Sequence, residues 1–145
     1  MKIIKITMAI ALATATGSVS LAQKLTPAKV PAAVKSSFAK AYPNVKTVKW
    51  EKEKGDFEAD FKQSGDEMSA VFMADGMQKE SEMGIKASAL PALVTAYVKQ
   101  NYKGAAIKEA AKITRASGEI NYEAEVKGKD LLFDSTGKFI KIAQN

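Results

Sequence analysis

The chain has 145 residues, 46% of them hydrophobic and 26% charged, and a formal net charge of +6. That composition is globular, and the length suits one ordinary domain or two small units sharing a core. It contains neither cysteine nor histidine, which excludes disulfides, thiol nucleophiles, thiolate or imidazole zinc sites and Ser-His-Asp triads. Any acid–base chemistry would fall to Asp, Glu, Lys or Tyr. No spacing of those residues marks a nucleophile beside a base, so the chain reads as non-enzymatic and without a cofactor.

The N-terminal stretch MKIIKITMAIALATATGSVSLAQ opens on Lys2 and Lys5, continues as an apolar run from Ile6 to about Thr14, and ends in small residues. Ser20-Leu21-Ala22 fits the small-x-small rule for signal-peptide cleavage before Gln23. The apolar run falls well short of the ~20 residues that a membrane span needs. Residues 1–22 therefore read as a cleaved signal peptide, giving a periplasmic or secreted protein with no stable membrane insertion. Without a cysteine near the cleavage point there is no lipid attachment site. Cleavage removes Lys2, Lys5 and no acid, taking the net charge from +6 to +4.

After a short lead-in, Val30 to Tyr42 carries Val30, Val34, Phe38 and Tyr42 at every fourth position, the mark of one apolar helix face. Pro31 suits the first turn, with Thr26 or Lys29 as weak caps, and Pro43-Asn44 ends the helix. Strand alternation follows: Val48 and Trp50, then Phe57, Ala59 and Phe61 with Glu58, Asp60 and Lys62 pointing the other way. Turns are expected at Gly55, Ser64-Gly65 and Asp75-Gly76. An apolar strand ends near Met73, and a weaker strand candidate spans Met77 to Met83.

The pattern then occurs again. Shifted by about sixty residues, Leu90 to Tyr102 matches Val30 to Tyr42, with Pro31/Pro91, Ala32/Ala92, Val34/Val94 and Tyr42/Tyr102 identical. Ser88 is a candidate cap for this second helix. Placing the extra residues of the second copy in the loop after its helix aligns Ile113 with Val48 and Arg115 with Trp50. Tyr122 to Val126 then answers Phe57 to Phe61, Phe133 answers Phe72, and Thr136-Gly137 answers Asp75-Gly76. Short glycine turns can only reverse the chain, so the strands should be antiparallel. The expected fold is α+β: a tandem repeat of a helix and about four antiparallel strands, up to eight strands in all with two helices on one face. The expected boundaries are 23–84 for the first repeat and 85–145 for the second.

The series helix, Val48-x-Trp50, Gly55-x-Phe57-Glu58-x-x-Phe61 and Phe72-x-x-Asp75-Gly76 resembles the PepSY-like, β-lactamase-inhibitor-like family of small exported bacterial proteins. The resemblance covers Val30 to about Ile142. It implies a duplicated helix-plus-sheet fold, and related folds bind proteins or peptidases through an exposed sheet face.

Several residues stand out. Trp50, the sole tryptophan, is expected in the core by its strand spacing, with a binding anchor as the alternative. Glu58, Asp60, Glu123 and Glu125 form equivalent acidic pairs. They read as a solvated face rather than a Ca²⁺ site, because residues two apart on a strand lack a wrapping loop. Lys49 and Glu51 on the preceding strand, and Lys127 beside the second acidic pair, complete the candidate partner-binding set. Met68, Met73, Met77 and Met83 read as gap-filling or adaptable surface rather than a Cu(I) site. Acids alternate with lysines throughout, which argues against nucleic-acid binding. The leading expectation is an exported binding module gripping a periplasmic protein or peptide, such as a peptidase that it inhibits or regulates, through its open sheet face. The alternative is a small-ligand or cation-binding protein.

Overall fold

The computed structural model describes residues 22–143. The expected signal peptide lies outside the described residues except for Ala22. In chain order the elements are β1 (Gln23–Leu25), α1 (Ala32–Ala41), β2 (Val48–Glu53), β3 (Asp56–Gln63), β4 (Asp66–Phe72), β5 (Gln78–Ile85), α2 (Ala92–Asn101), β6 (Ile107–Arg115), β7 (Ile120–Val126), β8 (Lys129–Phe133) and β9 (Phe139–Ala143). The nine strands hydrogen-bond in the order in which the chain makes them. They number nine rather than eight because the lead-in at Gln23–Leu25 adds itself to β2 as a short edge strand. The chain divides into two compact units, the first ending at Glu82 and the second beginning at Met83.

In the first unit, two-residue turns at Lys54-Gly55 and Ser64-Gly65 join β2 to β3 and β3 to β4, all four residues at positive φ. That is the hairpin geometry whose twist matches the flanking strands. The odd-numbered residues of β3 meet α1. Phe38, in the middle of the helix, has its ring 5.4 Å from Trp50, 5.1 Å from Phe61 and 6.3 Å from Phe72, each edge-on, and 5.2 Å from Tyr42. Val30, Val34, Phe57, Ala59 and Ala70 complete this core. Trp50 is thus a core residue, 4% exposed.

In the second unit α2 lies over an aliphatic core of Leu90, Val94, Val98, Ala124, Val126 and Leu131 with Phe133. Its aromatics gather at one side, where Tyr97 stacks on Phe139 at 4.6 Å and meets Phe133 edge-on.

Two sequence expectations need correction. The helices begin later than expected: each follows a 3₁₀ turn (Pro27–Lys29 and Ala87–Ala89), and the caps are Pro31 and Pro91, with φ of −54° and −53°. Thr26 precedes the first of these turns and Ser88 lies within the second, so neither caps a helix. Proline accepts the extended cap conformation because its fixed φ already lies there.

The second correction concerns the repeat. Trp50 pairs with Ala59, and its counterpart in the second unit is Ala110, which pairs with Ala124. Ile113 and Arg115 are not the equivalents of Val48 and Trp50: Ile113 pairs with Asn121, and Arg115 closes the β6–β7 hairpin. The extra residues of the second copy lengthen that hairpin, while the loop after the helix is one residue shorter than in the first unit and a register shift between Ile107 and Glu109 makes up the difference.

Candidate functional site

Because Phe57, Ala59 and Phe61 face α1, strand alternation sends Asp56, Glu58, Asp60 and Lys62 to the opposite, helix-free face. The register adds their neighbours. Glu51 and Val71 flank Glu58, Lys49 and Ser69 flank Asp60, and Glu67 stands beside Lys62. Two ion pairs mark the ends of this row, Lys62 Nζ to Glu67 Oε1 at 2.6 Å and Lys79 Nζ to Asp56 Oδ2 at 2.6 Å. Between them stand Glu51, Glu58 and Asp60, with Lys24 across from Glu51 and Lys49 across from Asp60.

Glu58 is the unusual member. It is only 7% exposed, and burial, followed by the negative charge of Asp60 and smaller contributions from Glu53 and Glu51, pushes its carboxyl up to about 8. At neutral pH Glu58 is therefore mostly protonated. Ser69, 1% exposed, stands beside it and opposes that rise. Yet neither Ser69 Oγ nor Glu58 Oε1 has a hydrogen-bond partner of good geometry among the described residues. Asp60 is raised to about 6, by burial first and then by Glu51 and Glu67, with Lys49 pulling against them. A buried carboxyl and hydroxyl left without partners on a face free of helices are costly features, and such features call for a cause beyond packing.

The structure thus brings together four of the predicted residues, Lys49, Glu51, Glu58 and Asp60, as cross-strand neighbours. The remaining three lie on the second unit. Glu123 and Glu125 occupy the helix-free face of β7, Glu125 bridged at 3.2 Å by Lys108. Lys127 sits in the β7–β8 turn at φ 52°, beyond the strand face that carries Glu123 and Glu125. The expectation of a solvated acidic face fails at Glu58 and at Glu123, which is 8% exposed. Around Glu123 the face is apolar: Ala111 and Leu132 are its cross-strand partners and Ile113 lies next along β6, all three buried. Strand periodicity marks which face a residue takes but not how deeply its neighbours cover it.

Sequence reasoning passed over Ser69, whose small side chain carried no periodic signal, and Glu80 and Glu82 of β5, which are 3% and 1% exposed. Of the methionines, Met68 packs against the first core, while Met73 and Met77 are exposed at the β4–β5 turn. Among the described residues no three acidic side chains stand close enough to hold a metal ion, and no helix is long and apolar enough to cross a membrane.

This architecture, a helix over antiparallel strands made twice, defines a class of duplicated α+β proteins. The chain belongs to the family described as "Putative beta-lactamase-inhibitor-like, PepSY-like", which matches residues 19–77 and again 65–141. Among solved structures it is similar to a "putative periplasmic" protein of Bacteroides eggerthii, with TM-score 0.68 and 16% identity over 78% of this chain and 87% of the other. A DUF2874 family protein of Bacteroides uniformis gives TM-score 0.66 and 19% identity over 77% and 87% of the two chains. A BLIP-like protein of Bacteroides fragilis gives 0.59 and 23% over 77% and 84%. At these identities the likenesses speak to the fold. No curated protein matches the chain.

Proposed function

We propose that this protein is an exported, non-enzymatic binding module that holds a protein partner in the periplasm through the helix-free face of its sheet. The observation that carries the reading is the Glu58–Ser69 pair: two buried polar side chains, each with an oxygen that lacks a well-aligned hydrogen-bond partner among the described residues, set beside the half-buried Glu51 and Asp60 on a face with no helix over it. Residues that serve only stability are not left in that condition, because an unmet buried polar group costs about 1–3 kcal/mol. The leader-like N-terminus and a solved relative of the same fold described as periplasmic support the location. The absence of histidine and cysteine, together with the lack of a nucleophile–base pair, supports a role in binding rather than turnover.

The experiment is affinity capture with residues 23–145 from the envelope fraction of the native cells. It is run in parallel with a charge-reversed variant at Lys49, Glu51, Glu58, Asp60, Glu123, Glu125 and Lys127, whose folding is checked by its melt. A partner held by the native protein and lost by the folded variant supports the reading. Equal retention by both removes the sheet face from the function.

A further inference from the structure

We infer that the first repeat carries a receptor for an arginine side chain of its partner, built from Glu58, Asp60, Glu51 and Ser69. The inference rests on the binding reading above and specifies the chemistry that the face recognises.

Three observations converge. The first is a pair of buried polar atoms without well-aligned partners: Ser69 Oγ and Glu58 Oε1 make no hydrogen bond of good geometry among the described residues, although Ser69 is close enough to oppose the rise at Glu58. The second is charge. The helix-free face of β2–β4 presents Glu51, Glu53, Asp56, Glu58, Asp60 and Glu67 against Lys49 and Lys62, in a chain whose overall charge is +6. Lys62 is committed to Glu67, and Asp56 to Lys79 of β5. Lys49, exposed and opposite Asp60, and Lys24 of β1, exposed and opposite Glu51, are the other cations beside this group. The third is spacing. Glu58 and Asp60 are two apart on one strand and so share a face, with Glu51 directly across from Glu58 on one side and Ser69 directly across from Asp60 on the other.

A guanidinium suits that arrangement. It is planar, remains charged, and offers five N–H donors to acceptors set around it. The incoming charge joins Lys49, which stands across from Asp60 and pulls its carboxyl down. The titratable groups on the face around Glu58 are Lys24 from β1, Lys49, Glu51 and Glu53 from β2, Asp56, Asp60 and Lys62 from β3, Glu67 from β4 and Lys79 from β5. Burial first, and the negative charge of Asp60 next, hold the Glu58 proton until a further cation arrives. Binding therefore releases a proton, and affinity rises as pH rises toward 8.

The test is a carbon-detected NMR titration of the Glu58 and Asp60 carboxyls in the 23–145 protein. The probes are N-acetyl-arginine amide, the neutral isostere N-acetyl-citrulline amide at matched ionic strength, and Ca²⁺. The arginine probe is expected to lower the Glu58 midpoint by about one pH unit or more, with citrulline leaving it in place. Ser69→Ala, which keeps every charge, should weaken the arginine effect several-fold, and Glu58→Gln should abolish the response at Asp60 in a protein that still melts cooperatively. An equal response to citrulline, no response to arginine, or a larger response to Ca²⁺ each overturns the arginine receptor. If envelope capture through this face persists while the arginine probe does nothing, the binding module stands and the arginine specificity alone is wrong.

Discussion

A Cβ placed on Gly76 would lie 2.7 Å from the carbonyl oxygen of Ala33, in the first turn of α1. Gly76 also sits at φ +91°, a conformation that side chains resist. Its counterpart Gly137, at φ +93°, approaches Pro91 at the start of α2 equally closely, 2.8 Å from the proline Cβ. In each repeat the turn after the fourth or eighth strand thus fixes where its helix begins. Gly76→Ala should destabilise the protein by about 3 kcal/mol, combining backbone strain with a clash against main chain. Gly65→Ala, at φ +92° with open space around it, should lose only about 1 kcal/mol. Urea unfolding of the two variants measures the difference.

Trp50 and Phe38 make the corresponding point for the core. Trp50→Ala removes the edge-on contact to Phe38 at 5.4 Å and opens a cavity beneath α1, for an expected loss of about 3–5 kcal/mol. Lys49→Ala, one residue earlier and exposed, should stay within about 0.5 kcal/mol of the parent. Equal losses in the two variants would mean that Trp50 does not fill the core.

Stability should also depend on pH in a specific direction. The Glu58 carboxyl is raised from an ordinary 4.5 to about 8 in the folded protein, so between those values the folded state holds a proton that the unfolded state has released. Its contribution to stability is therefore fully present below about pH 4.5 and is lost as pH rises through about 8. Glu58→Gln removes the charged form. It should leave stability near pH 5 little changed and raise it by about 2 kcal/mol at pH 8.5. Melting temperatures of parent and variant across this range give the comparison, and parallel curves would contradict it.

Much of this fold is written in local pattern. Alternation at Phe57, Ala59 and Phe61 determines the face that meets α1, and the glycine turns determine the antiparallel order. What local pattern does not carry is register. Aligning the two repeats by residue type set Arg115 against Trp50, whereas cross-strand pairing sets Ala110 there. The first core can therefore be aromatic while the second is aliphatic. Register also decides burial: Glu58 looked outward and solvated by its period, but lies between Glu51 and Val71 and is covered. The candidate residues were legible as a set. Their burial, and the place of Ser69 among them, were not.

The measurement that tests the central claim most directly separates the two repeats. The partner recovered by capture is titrated against two folded variants, one reversed at Lys49, Glu51 and Asp60, the other at Glu125, at Lys127 and at Glu109, which stands across from Glu125. If binding runs through the first repeat, the first variant loses affinity by at least about 2 kcal/mol, as expected for disrupting a buried charge pair, while the second binds like the parent. Loss in the second variant alone, or in neither, would contradict the account.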